Sequence, residues 1–461
     1  MSSLKPTDAL PRIAWVQLGC PKNQVDGEWM LARLAAAGYP LVGDPQAADL
    51  LVINTCAFIA DAQRESIDEI LAAAAWKEAR PGRRLIVAGC LAERHGTQLL
   101  RELPEVDACL GPGRLSEIEA LVARVVAGAR GLCRCGGLGG VPATGPRLRS
   151  GAPHTSYLKI AEGCNQRCSF CLIPRLRGAQ VSRDVAGLVA EAEQLGEEGV
   201  VELVLVAQDT TSYGTDLEPQ ADLVGLLQAL LQRPGPEWIR LLYTHPAHWS
   251  EELIDLFATH PRLLSYVDLP FQHSEDPVLA AMGRGHDGRR LRDLIESLRQ
   301  RIPDLVLRGT ALVGHPGEDR HAHRALLQFL KEFPFDRLGA FAYSREPETR
   351  AARRRDAPEP ALATERLNEV LALQREVALQ QQRRRIGRQL TVLTEALDTR
   401  ARRILARSYG EAPEIDGWIR IAAATEDELE GVALGEFHAA RITGAGPYDL
   451  EADLVTGELS Q

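Results

Sequence analysis

The sequence predicts an α/β protein in three parts: an N-terminal parallel, doubly wound α/β domain, a central partial (β/α)6 barrel and a small C-terminal antiparallel β-barrel. Its 461 residues suit about three domains of roughly 150 residues each. From Ile13 to about Ala129, short β-rich apolar runs alternate with amphipathic helical patterns, the order that builds a parallel sheet between helices. Six further strand-like runs follow, at 155–161, 200–207, 238–244, 263–269, 305–313 and 337–343, separated by helical patterns. They predict an open, incomplete version of the eight-unit barrel. From Ile386 helical periodicity is lost and four short runs, "QLTVLTEAL", "GWIRIAA", "FHAARITGA" and "DLEADLV", take its place, as in a small barrel.

The N-terminal domain is expected over 1–130, with strands at "IAWVQLGC" (13–20), "ADLLVINTC" (48–56) and "RLIVAGC" (84–90). The stretch 131–153, "GLCRCGGLGGVPATGPRLRSGAP", is too poor in apolar residues to form an element and reads as a linker. The barrel is expected over 154–350. A connecting segment, 351–385, carries one long helix from Ala361 to Arg385, and the β domain runs over 386–461.

The composition, 45% apolar and 25% charged, is that of a globular chain with ample core. The first twenty residues lack the apolar stretch of a signal peptide, and no apolar run approaches the ~18 residues of a membrane span. The expected address is the cytoplasm. There, nine cysteines point to metal ligation or catalysis rather than disulfides. A net charge of −10 disfavours bulk nucleic-acid binding.

The stretch "GCNQRCSFCLIP" (163–174) puts Cys164, Cys168 and Cys171 on the loop after the first barrel strand, and no cysteine follows them. Thiolates are the usual ligands of iron–sulfur clusters. A cube held by three of them keeps one iron free, and an open coordination position is what makes a metal site reactive. A three-cysteine zinc knuckle completed by histidine is the alternative, but no histidine follows at finger-like spacing; His154 precedes the group.

Cys20, Cys56 and Cys90 each end one N-terminal strand. Carboxyl ends of parallel strands gather along one edge, where ligands bind, so a second three-cysteine cluster is expected there. Each could otherwise be a buried small residue. Cys109, Cys133 and Cys135 are read as bystanders.

The pattern Cys-x-x-x-Cys-x-Phe-Cys, with Phe170 as the aromatic, resembles the radical S-adenosylmethionine superfamily. Two three-cysteine sets in this order, with a terminal β domain of TRAM type, resemble its methylthiotransferases over nearly the whole chain. The resemblance implies two 4Fe-4S clusters and S-adenosylmethionine. The barrel cluster would generate a radical and the N-terminal cluster would carry the sulfur for insertion at an unactivated carbon. It also implies cofactor contacts at strand ends: Gln208 and Asp209 at the methionine end, Asp268 and Gln272 at the ribose, and Gly314 and Phe170 at the adenine. Each would serve equally as a capping or loop residue. "GHPGE" (314–318) departs from the family's Phe at His315; His315, His321 and His323 are expected to be solvated, with a metal site as the alternative.

Relatives modify either an adenosine of tRNA or an aspartate of ribosomal small-subunit protein twelve. From Ile386 to Gln461 there are 7 Arg, no Lys and 14 Asp plus Glu. Such acidity suits a basic protein better than RNA phosphates. The expected reaction is methylthiolation of the β-carbon of that aspartate. The tRNA enzyme and a non-catalytic, zinc-stabilised binding module are the alternatives. Expected partners are the ribosomal protein, a low-potential one-electron donor such as a flavodoxin, and ribosomal RNA through "TRAARRR" (349–355) and "QQQRRRIGR" (380–388), with no membrane.

Overall fold

The computed structural model describes residues 10–140, 144–423, 429 and 431–455. They form two compact units. One holds the described residues of Met1–Gly151 with Lys159–Asn165 and Leu172–Arg183; the other holds Ala152–Leu158, Gln166–Cys171 and the described residues from Asp184.

In the first unit, β1 (Ile13–Gln17), β2 (Leu50–Thr55), β3 (Arg84–Gly89), β4 (Ala108–Leu110) and β5 (Leu132–Arg134) form a sheet in that order, every pairing parallel. Both faces are covered. Residues of α2 (Ala60–Glu78) and α3 (Cys90–Glu102) pack with Leu51, Ile53, Leu85 and Val87. Those of α1 (Pro21–Ala36) and α4 (Ile118–Val126) pack with Leu50, Val52, Ile86 and Ala88. The continuous apolar runs of β2 and β3 are what a two-sided sheet requires.

The expected linker is only partly irregular: Leu132–Arg134 joins the sheet as β5. Three residues suffice because an edge strand borrows its ladder from the neighbour β4, and the glycines that follow turn the chain away. Cys109 and Cys133 therefore lie on paired strands.

In the second unit, β6 (Thr155–Lys159) edges a six-stranded sheet. Two-residue strands β7 (Ala161–Glu162) and β8 (Val181–Ser182), with the short α5 (Ile173–Leu176) between them, belong to the first unit. The sheet continues through β9 (Glu202–Val206), β10 (Trp238–Leu241), β11 (Leu263–Gln272), β12 (Val306–Val313) and β13 (Arg337–Ala342), in the order β13-β12-β11-β10-β9-β6. Helices α6 (Val185–Glu197), α7 (Leu223–Leu231), α8 (Glu251–Thr259), α9 (Asp276–Met282), α10 (Gly288–Arg301) and α11 (Arg320–Glu332) connect the strands, and α12 (Pro360–Arg383) follows. All six expected strands are present and the barrel is open. β11 runs three residues beyond its expected end, which leaves Asp268 in mid-strand.

Five strands close the C-terminal barrel: β14 (Gln389–Asp398), β15 (Arg403–Ser408), β16 (Ile419–Ala422), β17 (Phe437–Ala445) and β18 (Leu450–Leu454). The pairings are antiparallel except for β16 with β18. Among the described residues no helix is long and apolar enough to cross a membrane.

Buried charge fastens this barrel to the six-stranded sheet. Glu202, the first residue of β9, is fully buried and accepts from Arg240 of β10 (2.7 Å) and Arg407 of β15 (2.5 Å). Arg407 also pairs with Glu395. Glu411 is held by Arg337 of β13 (2.8 Å) and by Arg385 (2.5 Å). Burial pushes the Glu411 carboxyl up, but Arg385 and Arg337 outweigh it and hold it at about 2.

Breaking one partner of such a pair leaves an uncompensated buried charge. Arg407→Met is therefore expected to cost about 3–5 kcal/mol in chemical denaturation. A carboxyl whose folded pKa is depressed stabilises above its unfolded value and loses that contribution as pH falls. The Glu411 contribution should vanish as pH drops from about 4.3 through about 2, and Glu411→Gln should flatten that limb of the stability profile.

Candidate cofactor sites

Strand register sets the three strand-end cysteines near one another. Thr55 of β2 lies opposite Gly89 of β3, so Cys56 and Cys90 are the next residue on each chain. Cys20 caps the N-terminus of α1, just beyond β1. Gly19 and Gly89 both take φ of +92°; a Cβ on Gly19 would sit 3.0 Å from Cys56 Cβ, and one on Gly89 would sit 2.4 Å from the Thr55 carbonyl oxygen. Glycine is what lets these turns approach. The Asn23 amide donates to the carbonyls of Leu18 (2.8 Å) and Thr55 (3.2 Å), stitching together the strand ends that carry Cys20 and Cys56.

The thiols meet a buried guanidinium. Arg177 Nε donates to Cys90 Sγ at 3.2 Å and Nη2 donates to Asn23 Oδ1 at 3.0 Å. Nη1 pairs with Asp26 and, at 3.2 Å, with Glu162. Lys159, also buried, pairs with the same two carboxylates. Burial pushes the Cys90 thiol up to about 12, against the pull of Arg177; burial pushes Cys56 up as well, and nearby Cys20 adds to both shifts. Thiols so placed stay protonated when nothing is bound, and ligation must remove their protons. Arg177 supplies the positive charge that makes thiolates tolerable. The donor set fits an iron–sulfur cluster: three free thiols on one strand edge beside a buried cation. Among the described residues no three His, Cys, Asp or Glu side chains close tightly enough for a single ion; a polynuclear cluster needs wider spacing than a zinc with sulfurs ~2.3 Å from the metal.

The second cysteine set lies on the loop after β6. The Cys164 amide donates to the Gly178 carbonyl at 3.1 Å. In the second unit, Arg284 Nη1 donates to Cys168 Sγ at 3.3 Å, and the Cys171 amide donates to the Cys168 carbonyl at 3.3 Å. The intervening Ser169 is fixed from three sides. Its amide donates to Met282 (2.7 Å), its carbonyl accepts from Ala351 (2.9 Å), and its hydroxyl bonds the His315 ring at 2.9 Å. All three thiols are half-buried and none is in a disulfide. A cationic group aimed at one thiol of the set again fits an anionic cluster.

The expected cofactor contacts divide. Asp209, just past β9, is buried and accepts from Gln166 Nε2 (2.8 Å) on the cysteine loop and from Thr211 (2.7 Å); Gln208 precedes it, half-buried. Gln272 ends β11 with φ of +71°, and Tyr243, just past β10, has φ of +63°. Two non-glycine residues held left-handed at neighbouring strand ends are the kind of strain that functional sites store. Asp268 is committed: its carboxylate accepts from Arg308 (2.7 Å) and from the Tyr243 amide (2.9 Å). Gly314 donates its amide to Glu318, and a Cβ there would lie 2.5 Å from Ala363 Cβ on α12, so packing alone demands glycine. Phe170 stands edge-on to His315, centroids 6.1 Å apart, beside Val278 and Met282.

The histidines of the 314–323 segment correct the expectation of solvation. His315 is fully buried, between Phe170 and Tyr343, and His323 is buried against Glu318 and Glu369. Only His321 is exposed. Burial is tolerated because the polar atoms find partners: Ser169 and the Pro316 carbonyl for His315, and carboxylates for His323. Sequence reasoning also missed Asp26, Lys159, Glu162, Arg177 and Arg284. No spacing marks them, since Asp26 and Arg177 are 151 residues apart.

Three stretches of the chain match known protein families. The model of uncharacterized protein family UPF0004 matches residues 12–111, that of the radical SAM superfamily 158–330, and that of the TRAM domain 386–455. The ribosomal protein uS12 methylthiotransferase RimO of Desulforudis audaxviator is 45% identical over 447 residues, covering 96% of this chain and 97% of that protein. The chain belongs to the RimO family. The RimO of Anaeromyxobacter sp. (strain K) is 44% identical and covers 98% of this chain and 94% of its own. Among solved structures, the radical S-adenosylmethionine methyltransferase TsrM of Kitasatospora setae, with cobalamin and a 4Fe-4S cluster bound, aligns with a TM-score of 0.57. That alignment has 16% identity and covers 74% of this chain and 77% of that one, a likeness of fold.

Arg177→Met should lower stability by about 3–5 kcal/mol and cut iron and sulfide per cluster-loaded chain toward the content of one cluster. Arg177→Lys should recover the charge but not the fork to Cys90 and Asn23, and give intermediate values.

Proposed function

We propose that this chain is a cytoplasmic, two-cluster radical S-adenosylmethionine methylthiotransferase, which adds a methylthio group to the β-carbon of an aspartate in ribosomal protein uS12. The observation that carries it is the pair of three-thiol sets, each with an arginine on one sulfur, in a chain similar over nearly its whole length to proteins named for that reaction. Cys20, Cys56 and Cys90 hold the N-terminal 4Fe-4S cluster, and Cys164, Cys168 and Cys171 hold the other. When bound, the two clusters and S-adenosylmethionine supply one-electron bond cleavage and the sulfur. The protein's own share is positioning and charge balance.

Arg177 and Arg284 offset thiolate charge. Asp209 braces the cysteine loop through Gln166. Gln208, Asp209, Asp268, Gln272, Phe170 and Gly314 are assigned to the S-adenosylmethionine site, and Asp268 also holds the Tyr243 amide. The domain limits are those read from the sequence, with β5 reassigned from the linker to the N-terminal sheet.

Substrate choice rests on charge. The acidic C-terminal domain, with 14 Asp plus Glu against 7 Arg, favours a basic protein. The basic runs hold fewer available cations than their composition suggests: Arg385 is bound to Glu411, Arg388 to Asp304 and Arg354 to Asp356. Contact with ribosomal RNA would fall to exposed Arg353, Arg355 and Arg383. A flavodoxin-class protein is the proposed electron donor.

Anaerobic incubation of uS12 with enzyme, S-adenosylmethionine and reductant should add one methylthio unit, read by mass spectrometry. Cys168→Ala should abolish cofactor cleavage, whereas Cys56→Ala should retain cleavage and lose sulfur transfer. Modification of tRNA in place of uS12 would overturn the assignment.

A further inference from the structure

The two cofactor sites use six of the nine cysteines. The other three, Cys109, Cys133 and Cys135, come together in the first unit. Cys109 of β4 is the register partner of Cys133 of β5. A Cβ on Gly96 of α3 would lie 3.0 Å from Cys135 Sγ, 3.2 Å from Cys133 Sγ and 3.2 Å from Cys109 Cβ. The helix has no side chain at the point where the thiols gather. Cys133 donates to Cys135, sulfur to sulfur, at 3.5 Å. Cys133 is exposed, Cys135 half-buried and Cys109 buried.

Cys135 is the residue after β5, and α-carbons two residues apart in extended backbone are at most about 6.5 Å from each other at ~3.2–3.4 Å per residue. That is close to the upper limit of the ~4.4–6.8 Å that a disulfide spans. A bridge between Cys133 and Cys135 is thus permitted but lies near the edge of relaxed geometry, and exposed or strained bridges are the readily reduced ones. Burial pushes the Cys109 and Cys135 thiols up alike; what separates them is access, since Cys109 is buried and Cys133, beside Cys135, is exposed.

The pair is latched to the helix that begins with Cys90. Cys135 Sγ donates to the Ala92 carbonyl at 3.1 Å, and the next amide, that of Gly136, donates to the Glu93 carboxylate at 2.9 Å. Ala92 and Glu93 form the first turn of α3. A disulfide sulfur carries no hydrogen, so oxidation deletes the Cys135–Ala92 bond.

We propose that Cys133 and Cys135 are a redox-active dithiol, oxidised reversibly by small-molecule disulfides, and that oxidation frees the first turn of α3 from its Cys135 anchor. The Cys133 thiolate attacks the external disulfide and expels one thiolate. Cys135 then attacks the Cys133 sulfur of the mixed disulfide and expels the second. One S–S bond forms in the protein as one breaks outside it; two electrons pass to the external disulfide, and the two protons lost by the cysteines go to the released thiolates. The consequence for sulfur transfer rests on the reading of Cys90 as a cluster ligand.

The test uses the full-length, cluster-loaded protein under anaerobic conditions with oxidised glutathione. Digestion and mass spectrometry should show the peptide carrying Cys133 and Cys135 lighter by two hydrogens. Alkylation of both residues should fall about tenfold or more and return with dithiothreitol. Retention of glutathione on Cys133, unchanged alkylation, or protection of all three thiols before any oxidant is added would each overturn the dithiol. On the same samples, uS12 methylthiolation should drop severalfold in the wild type and hold steady in Cys133→Ser. An equal drop in both proteins would overturn the link to α3. Absence of methylthiolation in either protein before oxidation would count against the proposed function, while the mass result would still decide the dithiol.

Discussion

Three sulfurs spaced more than thirty residues apart can meet only if the strands that deliver them run the same way and in step. The parallel register of β2 and β3, Thr55 opposite Gly89, is the constraint on which the N-terminal site depends. A slip of one residue would move Cys56 to the wrong side of its neighbour, because side chains alternate faces along a strand. The two-sided core of the sheet prevents such a slip: Leu51, Ile53, Leu85 and Val87 fill one face, and Leu50, Val52 and Ile86 fill the other. Packing energy spread over two faces is thereby turned into positional accuracy at the strand ends.

Charge completes what register begins. Thiolates are poorly tolerated among apolar side chains, and both three-thiol sets have a guanidinium within hydrogen-bonding distance of one sulfur. Around Arg177 the balance is local, with two buried cations, Arg177 and Lys159, meeting Asp26 and Glu162. Such groups are expensive to desolvate and add little net stability. Their retention is easier to understand as orientation, since Arg177 touches Asp26, Asn23 and Cys90 with different nitrogens.

The sequence made the large pattern legible because periodicity and cysteine spacing are local signals. All six barrel strands and both three-cysteine sets could be read that way. What escaped it was set by long-range partners. β5 is three residues in a glycine-rich stretch and exists because β4 offers a free edge. β15, "RILARS", hides between charged residues, yet Ile404 and Ala406 are buried. His315 looks solvated in a run of polar residues, but its ring fills a space between Phe170 and Tyr343. Asp268 looked like the end of a strand only because β11 was expected to stop three residues early.

The anchoring of the C-terminal barrel has a consequence for evolution by recombination. Glu202 and Arg240 belong to the central sheet, whereas Arg407 and Glu395 belong to the terminal one. A terminal module borrowed from a relative would arrive without its counter-ions unless residues of β9 and β10 changed with it. Inheritance of the module is therefore tied to the sheet beneath it, and new recognition is more easily gained on its rim loops than by exchanging the whole.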